Sequence, residues 1–383
     1  MLRRVRVANL RLAILICALG ALSESLFYTA LAPLLDQLDA AEGFNHEQAG
    51  LLVAGYAIGY WAGALPAYVI VERIGPRATA TAGVTAVAVA TLLFAYGDGY
   101  ATLLGARTLV GAGSVVAYTG VLTAAGAMAG PERRGGAIGT VYSGSAAGSA
   151  IGPLVGALAS QFGRTPVFSA VAAGQAVIAV LLSRLPSTTG DPLPSPRAVL
   201  RHLRSRQVRI GLWITSVPGF ALGVLTVSGT YRLHELGAGS IVVASAFSGI
   251  AIINVFLAPR LGHASDRLGR RKPLMLALVV AAIAIALIAA VSLEVSTVVL
   301  IAIAGAFMLT VAGPGLALIG DGIIKGGGDP AGATFLMNVF WGPAAALGAI
   351  GAGLVHGRIT AEVSFLLLAA VAGASALAVR RYA

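Results

Sequence analysis

The sequence predicts an all-α polytopic membrane protein, with twelve transmembrane helices arranged as two pseudo-symmetric six-helix bundles. Three observations predict it. The chain is 57% hydrophobic and only 11% charged, with a mean hydropathy of +0.88, whereas soluble domains are about a quarter charged. Apolar stretches of about 18 or more residues recur along its whole length, each able to cross a hydrocarbon core about 30 Å thick. A short phrase also occurs twice, as ERIGPR at 72–77 and DRLGRR at 266–271. Glu72, Arg73, Gly75 and Arg77 return as Asp266, Arg267, Gly269 and Arg271, 194 positions later in a chain of 383. Gly152-Pro153 returns as Gly342-Pro343, 190 positions later. Offsets of half the length mean two copies of one unit, which in so apolar a chain marks a transporter rather than a membrane enzyme or anchor.

The repeat divides the chain into an N-terminal bundle (1–185), a linker (186–208) and a C-terminal bundle (209–383). Predicted spans of the first bundle cover 12–35, 48–71, 78–97, 101–129, 136–160 and 165–185. Those of the second cover 209–231, 240–260, 273–292, 295–319, 333–355 and 362–380. With the N-terminus cytoplasmic, only Arg164, Arg232 and Arg358 of the 26 Lys and Arg fall outside, and Arg107 falls within a span. The other 22 lie inside, so the positive-inside rule fixes this orientation, with both termini cytoplasmic. The net charge of +11 is therefore a topology signal, and no nucleic-acid partner follows from it.

The N-terminus resembles a signal peptide in its basic start, but the apolar run continues past the usual length and Pro33 would follow the cleavage site. It reads as the first membrane helix. Cys17 is the single cysteine and the five histidines form no ligand-spaced group, so no metal site is expected. Glu24 is the one carboxylate deep within a predicted span. In the fourth span, LLGARTLVGAG carries Arg107 two turns into the lipid. That position costs a few kcal/mol unless the residue faces the bundle interior and finds a partner, and Glu24 is the expected one. The pair reads either as a static tie between helices or as a proton site whose charge depends on hydration and on a movable arginine.

Pro192, Pro194 and Pro196 make part of the linker an extended tether. Arg197, Arg201 and Arg204 stand at helical spacing beside Leu200 and Leu203. This stretch reads as a basic helix on the inner leaflet or as a solvated linker. Asp321 is expected in a Gly-rich turn (320–330), and Glu294 in an outer turn.

The twelve spans, the six-plus-six repeat and the loop phrase together resemble the major facilitator superfamily. In the second half Gly262, Asp266, Arg267, Gly269, Arg270, Arg271 and Lys272 match the family's G-x-x-x-D-R-x-G-R-R/K loop motif. The first copy is degraded, with Tyr68, Glu72 and Pro76 at motif positions. An acid at a helix end beside arginines makes a charge-assisted latch. The latch residues would be Glu72, Arg73, Arg77, Asp266, Arg267, Arg270 and Arg271, unless these arginines only anchor topology. Arg107, Gly111 and Gly113 resemble the R-x-x-x-G-x-G motif of proton-coupled members. Gly139, Gly148, Gly152, Pro153 and Gly156 look like the antiporter motif of drug:proton antiporters. A smooth glycine face there would let the fifth helix pack on its counterpart in the other half, with Pro153 bending it.

The resemblance implies a solute cavity lined by helices one, four, seven and ten. Candidate lining residues are Tyr28, Tyr56, Tyr60, Tyr118, Tyr142, Asn254, Asn338 and Trp341, each of which has packing as its alternative role. Aromatics and amides around one carboxylate suit a lipophilic, cationic molecule. The expectation is a monomeric, proton-gradient-driven exporter of a small organic molecule in a bacterial-type inner membrane, needing no cofactor. Uptake or facilitated diffusion of a metabolite is the rival within transport. A non-transporting sensor or scaffold is the rival from another class, and an enzyme is not expected.

Overall fold

The computed structural model describes residues 2–130, 132–187, 195–329 and 332–382, without the side chains of 2–9, 266, 381 and 382. The described residues form helices and turns, with no strand among them. In the first half these are α1 (Leu2–Thr29), α2 (Leu35–Glu42), α3 (His46–Ile74), α4 (Pro76–Tyr96), α5 (Tyr100–Ala129), α6 (Arg134–Phe162) and α7 (Arg164–Ser183). After the linker come α8 (Pro196–Leu200), α9 (Arg206–Val224), α10 (Thr230–Glu235), α11 (Ser240–Leu268) and α12 (Arg271–Ala290). They are followed by α13 (Glu294–Thr310), α14 (Ala312–Lys325), α15 (Gly332–Arg358) and α16 (Ala361–Tyr382). Eleven described segments are long and apolar enough to cross a membrane. The Gly- and Ser-rich α6 is the remaining long helix, which gives the twelve predicted spans. Two spans are jointed. A π-helical turn at Leu225–Gly229 links α9 to α10, and Val311 links α13 to α14.

Contact density divides the chain into two compact units, Met1–Ala30 with Ile58–Leu193, and Leu31–Ala57 with Pro194–Ala383. Residues 31–57 belong to the first copy by sequence repeat but pack with the second unit. Within unit 1, small residues let helices touch backbone to backbone. A Cβ added at Gly83 would lie 2.2 Å from the Ala117 nitrogen on α5, and one at Gly120 would lie 2.3 Å from the Ala80 nitrogen on α4. On α6, added Cβ atoms at Gly144, Gly148 and Gly152 would fall 2.1, 2.2 and 2.3 Å from the carbonyl oxygens of Ala18, Leu22 and Leu26. Gly148 and Gly152 of the α6 glycine pattern thus face α1, within the same unit. Gly139 has nothing within 4 Å of an added Cβ, so it takes no part in this contact.

Unit 2 repeats the arrangement. Added Cβ atoms at Gly223 on α9 and Gly348 on α15 would approach the Ala345 and Phe220 carbonyl oxygens to 2.3 and 2.1 Å. The twice-occurring phrase also folds twice in the same way. Gly75 and Gly269 join α3 to α4 and α11 to α12 with φ/ψ of 81/162° and 78/155°, a backbone region open essentially to glycine alone.

The linker expectation holds in part. Residues 196–204 are helical, finishing in a 3-10 turn (Arg201–Arg204). Val199 is buried, and its side chain would meet a Cβ at Gly332 at 2.7 Å. The tether prolines Pro192 and Pro194 lie outside the described residues. Asp321 is not in a turn, as its sequence context predicts, but in the last turns of α14, and Glu294 opens α13. Glycine does not break α14 until Gly326–Gly328, where Gly327 adopts φ +72°.

Candidate functional site

The site is built on the last turns of α1, where the sequence reads SESLFYT. Glu24 is 5% exposed, and the flanking Ser23 and Ser25 are equally buried. Ser25 donates its hydroxyl to Glu24 Oε1 at 2.6 Å. Ser145, on α6, donates to the same oxygen at 3.4 Å, and the two serine hydroxyls lie 2.5 Å apart. Ser145 reaches so far because Gly144 and Gly148 on either side let the α6 backbone rest on α1. From α7, the buried Gln175 donates to the Ser23 carbonyl at 3.3 Å.

Arg107 lies on α5 and is 1% exposed. Its Nη1 donates to the Phe27 carbonyl at 3.0 Å and its Nη2 to that of Tyr28 at 3.5 Å, while the guanidinium stands 5.3 Å from the Phe27 ring. The reason lies in the chain. α1 ends at Thr29, and Pro33, which has no N–H, follows in a 3-10 turn. The last carbonyls of a helix lack intrahelical donors, and a cation there also meets the negative end of the helix dipole. Arg107 therefore caps α1 a turn beyond Glu24. Phe27 is wedged between Phe94 and Phe168, with ring centroids 5.3 and 5.4 Å away, which fixes the acceptor in place.

The charge of Glu24 acts on Tyr28, Tyr60 and Tyr118, and that of Arg107 acts on Tyr28. Tyr118 and Tyr142 pack edge to face at 6.0 Å and hydrogen-bond to each other. Unit 1 thus gathers Glu24, Arg107 and four of the predicted tyrosines in one polar neighbourhood. Tyr56 is buried on α3 and belongs to unit 2, as do Asn254, Asn338 and Trp341. Asn254 is engaged in packing, since its Nδ2 donates to Ala306 O at 3.2 Å and to Thr310 Oγ1 at 2.9 Å, tying α11 to α13. The Trp341 indole fills the space beside Gly219 on α9.

Among the predicted latch residues, Arg270 pairs with Asp321 at 2.6 Å, a partner the sequence reading had placed in a loop. Arg77 instead donates to the Leu185 carbonyl at 3.0 Å, at the end of α7. Glu72, Arg73, Arg267 and Arg271 are exposed, and the Asp266 side chain lies outside the described residues. Sequence reasoning missed Ser25, Ser145 and Gln175. Serines in a Gly- and Ala-rich helix read as small packing residues, and only the neighbouring carboxylate distinguishes these.

Residues 15–349, most of this architecture, match the Major Facilitator Superfamily. The chain belongs to that superfamily. That superfamily is one of membrane transporters. Among curated relatives, the chain is 32% identical over 167 residues to the multidrug resistance protein MdtG of Serratia proteamaculans, covering 39% of each chain. It is 33% identical over 171 residues to the uncharacterized MFS-type transporter YbcL of Bacillus subtilis, covering 42% of this chain and 43% of the other. The matched stretch thus spans about two fifths of the length of these relatives. Solved structures share the fold across nearly the full length. A bacterial homologue of the human lysosomal transporter Spinster aligns with a TM-score of 0.75 at 15% identity, covering 98% of this chain and 97% of the other. The nucleoside transporter NupG aligns with a TM-score of 0.76 at 14% identity, covering 97% of this chain and 99% of the other.

Proposed function

We propose that this transporter exports a small lipophilic or cationic organic molecule in exchange for protons, with Glu24 as the proton site and Arg107 as its neighbour of fixed charge. One observation carries the reading. A buried carboxylate is held by two serine hydroxyls on adjoining helices. A hydroxyl both donates and accepts, so Ser25 and Ser145 satisfy Glu24 as carboxylate or as carboxylic acid. A site that must load and release a proton needs that tolerance, because a buried polar group without a partner costs about 1–3 kcal/mol. Arg107, bonded to the α1 carbonyls, keeps a positive charge nearby. The tyrosines around Glu24 supply aromatic surface that suits a lipophilic cation.

The multidrug resistance proteins among the relatives support the substrate class, as does the glycine pattern of α6. In this reading the chain works as a monomer in a bacterial-type inner membrane, with both termini cytoplasmic, and alternating access is driven by the proton gradient without a cofactor. The deciding experiment uses purified protein in proteoliposomes with a fluorescent lipophilic cation. Glu24→Gln is expected to abolish uptake driven by a pH gradient while retaining counterflow of the same cation. Full gradient-driven exchange in that variant removes Glu24 as the proton site.

A further inference from the structure

The face opposite the basic loops holds a second set of ionisable groups, all within unit 2. The rings of His46 on α3, Tyr231 on α10 and His356 on α15 meet pairwise. Their centroids are 4.5 Å apart for His46–Tyr231, 5.0 Å for Tyr231–His356 and 4.4 Å for the two imidazoles. Tyr231 donates its hydroxyl to Asp39 on α2. The His356 side chain is 9% exposed, with Nε2 3.6 Å from Glu235 and Nδ1 buried without a hydrogen-bond partner. Other charges surround this core. Asp36 faces His234 at 3.8 Å, Glu235 and Glu362 hold Arg232 at 3.3 and 3.0 Å, and Glu47 holds Arg358 at 3.2 Å. Glu42 closes α2 beside them.

The backbones beneath are in close contact. A Cβ at Gly50 would lie 2.7 Å from the Ala349 carbonyl, and one at Gly353 would lie 2.4 Å from the His46 carbonyl. Residues 31–57 come from the first sequence copy, and α10 and α15 from the second. The histidines therefore sit on a partly buried seam where the two sequence copies meet in one compact body.

We propose that the facing imidazoles of His46 and His356 are a second proton-binding site, and that loading it releases residues 31–57 from α10 and α15. Two neutral rings tolerate contact at 4.4 Å. Charging His356 leaves a cationic N–H buried without an acceptor, and charging both rings sets like charges face to face. Glu235 and Glu362 offset part of the first charge, while His46 opposes it. The sign follows. The closed seam favours neutral rings, and the opened seam gives them water and favours the cations. The contact is therefore held above the ordinary histidine range of about 6.5 and weakens as pH falls through it. This holds whether or not Glu24 is the coupling site.

The test reads distance, not transport, so its failure is distinct from that of the Glu24 reading. Spin labels are placed at Gln37→Cys and Ile241→Cys in a Cys17→Ala background, and the whole chain is studied in lipid nanodiscs. From about pH 8 to about pH 5 the distance distribution should lengthen, with a midpoint below the ordinary histidine value of about 6.5 and at least a tenfold change in the ratio of populations. The double variant His46→Gln with His356→Gln should lose this change. His356→Phe, which keeps a ring that cannot titrate, should lose it too. An unchanged transition in either variant overturns the proposal. So does a distance that ignores pH in the parent, or a transition that Asp39→Asn removes while both histidines remain.

Discussion

Ser145, on α6, donates its hydroxyl to the Glu24 carboxylate on α1 at 3.4 Å, across 121 positions of sequence. The bond exists because α6 presents Gly144, Gly148 and Gly152 to α1, which brings two helices within reach of a side chain as short as serine. The glycine pattern that resembles an antiporter motif is, in this structure, what places a second hydroxyl on a buried acid.

Gly148→Ala should therefore separate α6 from α1. The added Cβ would stand 2.2 Å from a backbone oxygen that cannot rotate away. A destabilisation of about 1–3 kcal/mol is expected, together with loss of transport. Gly139→Ala, with open space around it, should stay within about 0.5 kcal/mol. Melting curves of both variants in detergent check the contrast. Equal effects would mean that the motif acts through something other than this contact.

Arg107→Lys tests the cap on α1. Lysine keeps the charge but loses the planar fork that reaches the Phe27 and Tyr28 carbonyls together. Gradient-driven transport should fall about 10-fold or more, since losing one charge-assisted bond is worth about 1.5–3 kcal/mol. Arg107→Ala should lower stability as well. A lysine variant with parental transport would show that charge alone is needed.

The Arg270–Asp321 pair is half exposed and is worth about 0–1 kcal/mol. Asp321→Asn should accordingly leave the melting temperature nearly unchanged. If the pair acts as a latch, the same variant should alter transport rate, and the exchange of Arg270→Asp with Asp321→Arg should restore it. Rates unaffected by either single change would reduce the pair to a surface contact.

Gly75→Ala and Gly269→Ala should each cost about 1–3 kcal/mol, because both positions need a backbone conformation that side chains resist. Parallel losses, measured by thermal unfolding, are expected from the shared geometry. A tolerated Gly75→Ala alone would show that the degraded first copy of the phrase has relaxed.

Much of the architecture was legible from the chain alone. Hydropathy marked spans that the helices reproduce, although the end of α1 and the extent of α14 were misplaced. Pro33 stops α1 before the apolar run is finished. The glycines at 320–322 read as a turn, yet α14 continues through them, because packing holds a helix together where propensity is weak. Glu24 and Arg107 stood out because charge is rare in lipid. The histidines did not, since His46, Tyr231 and His356 are separated by well over a hundred residues and each lies near a loop.

The sequence by itself determined the long apolar spans, their order and the two-fold repeat, because length, hydropathy and the Gly-Pro phrases act locally along one chain. Only the tertiary structure decided what each polar side chain meets: serines for Glu24, helix-end carbonyls for Arg107, and a second imidazole for His356. Those partners are chosen by how closely glycine-faced helices approach one another, a quantity that depends on two distant segments at once.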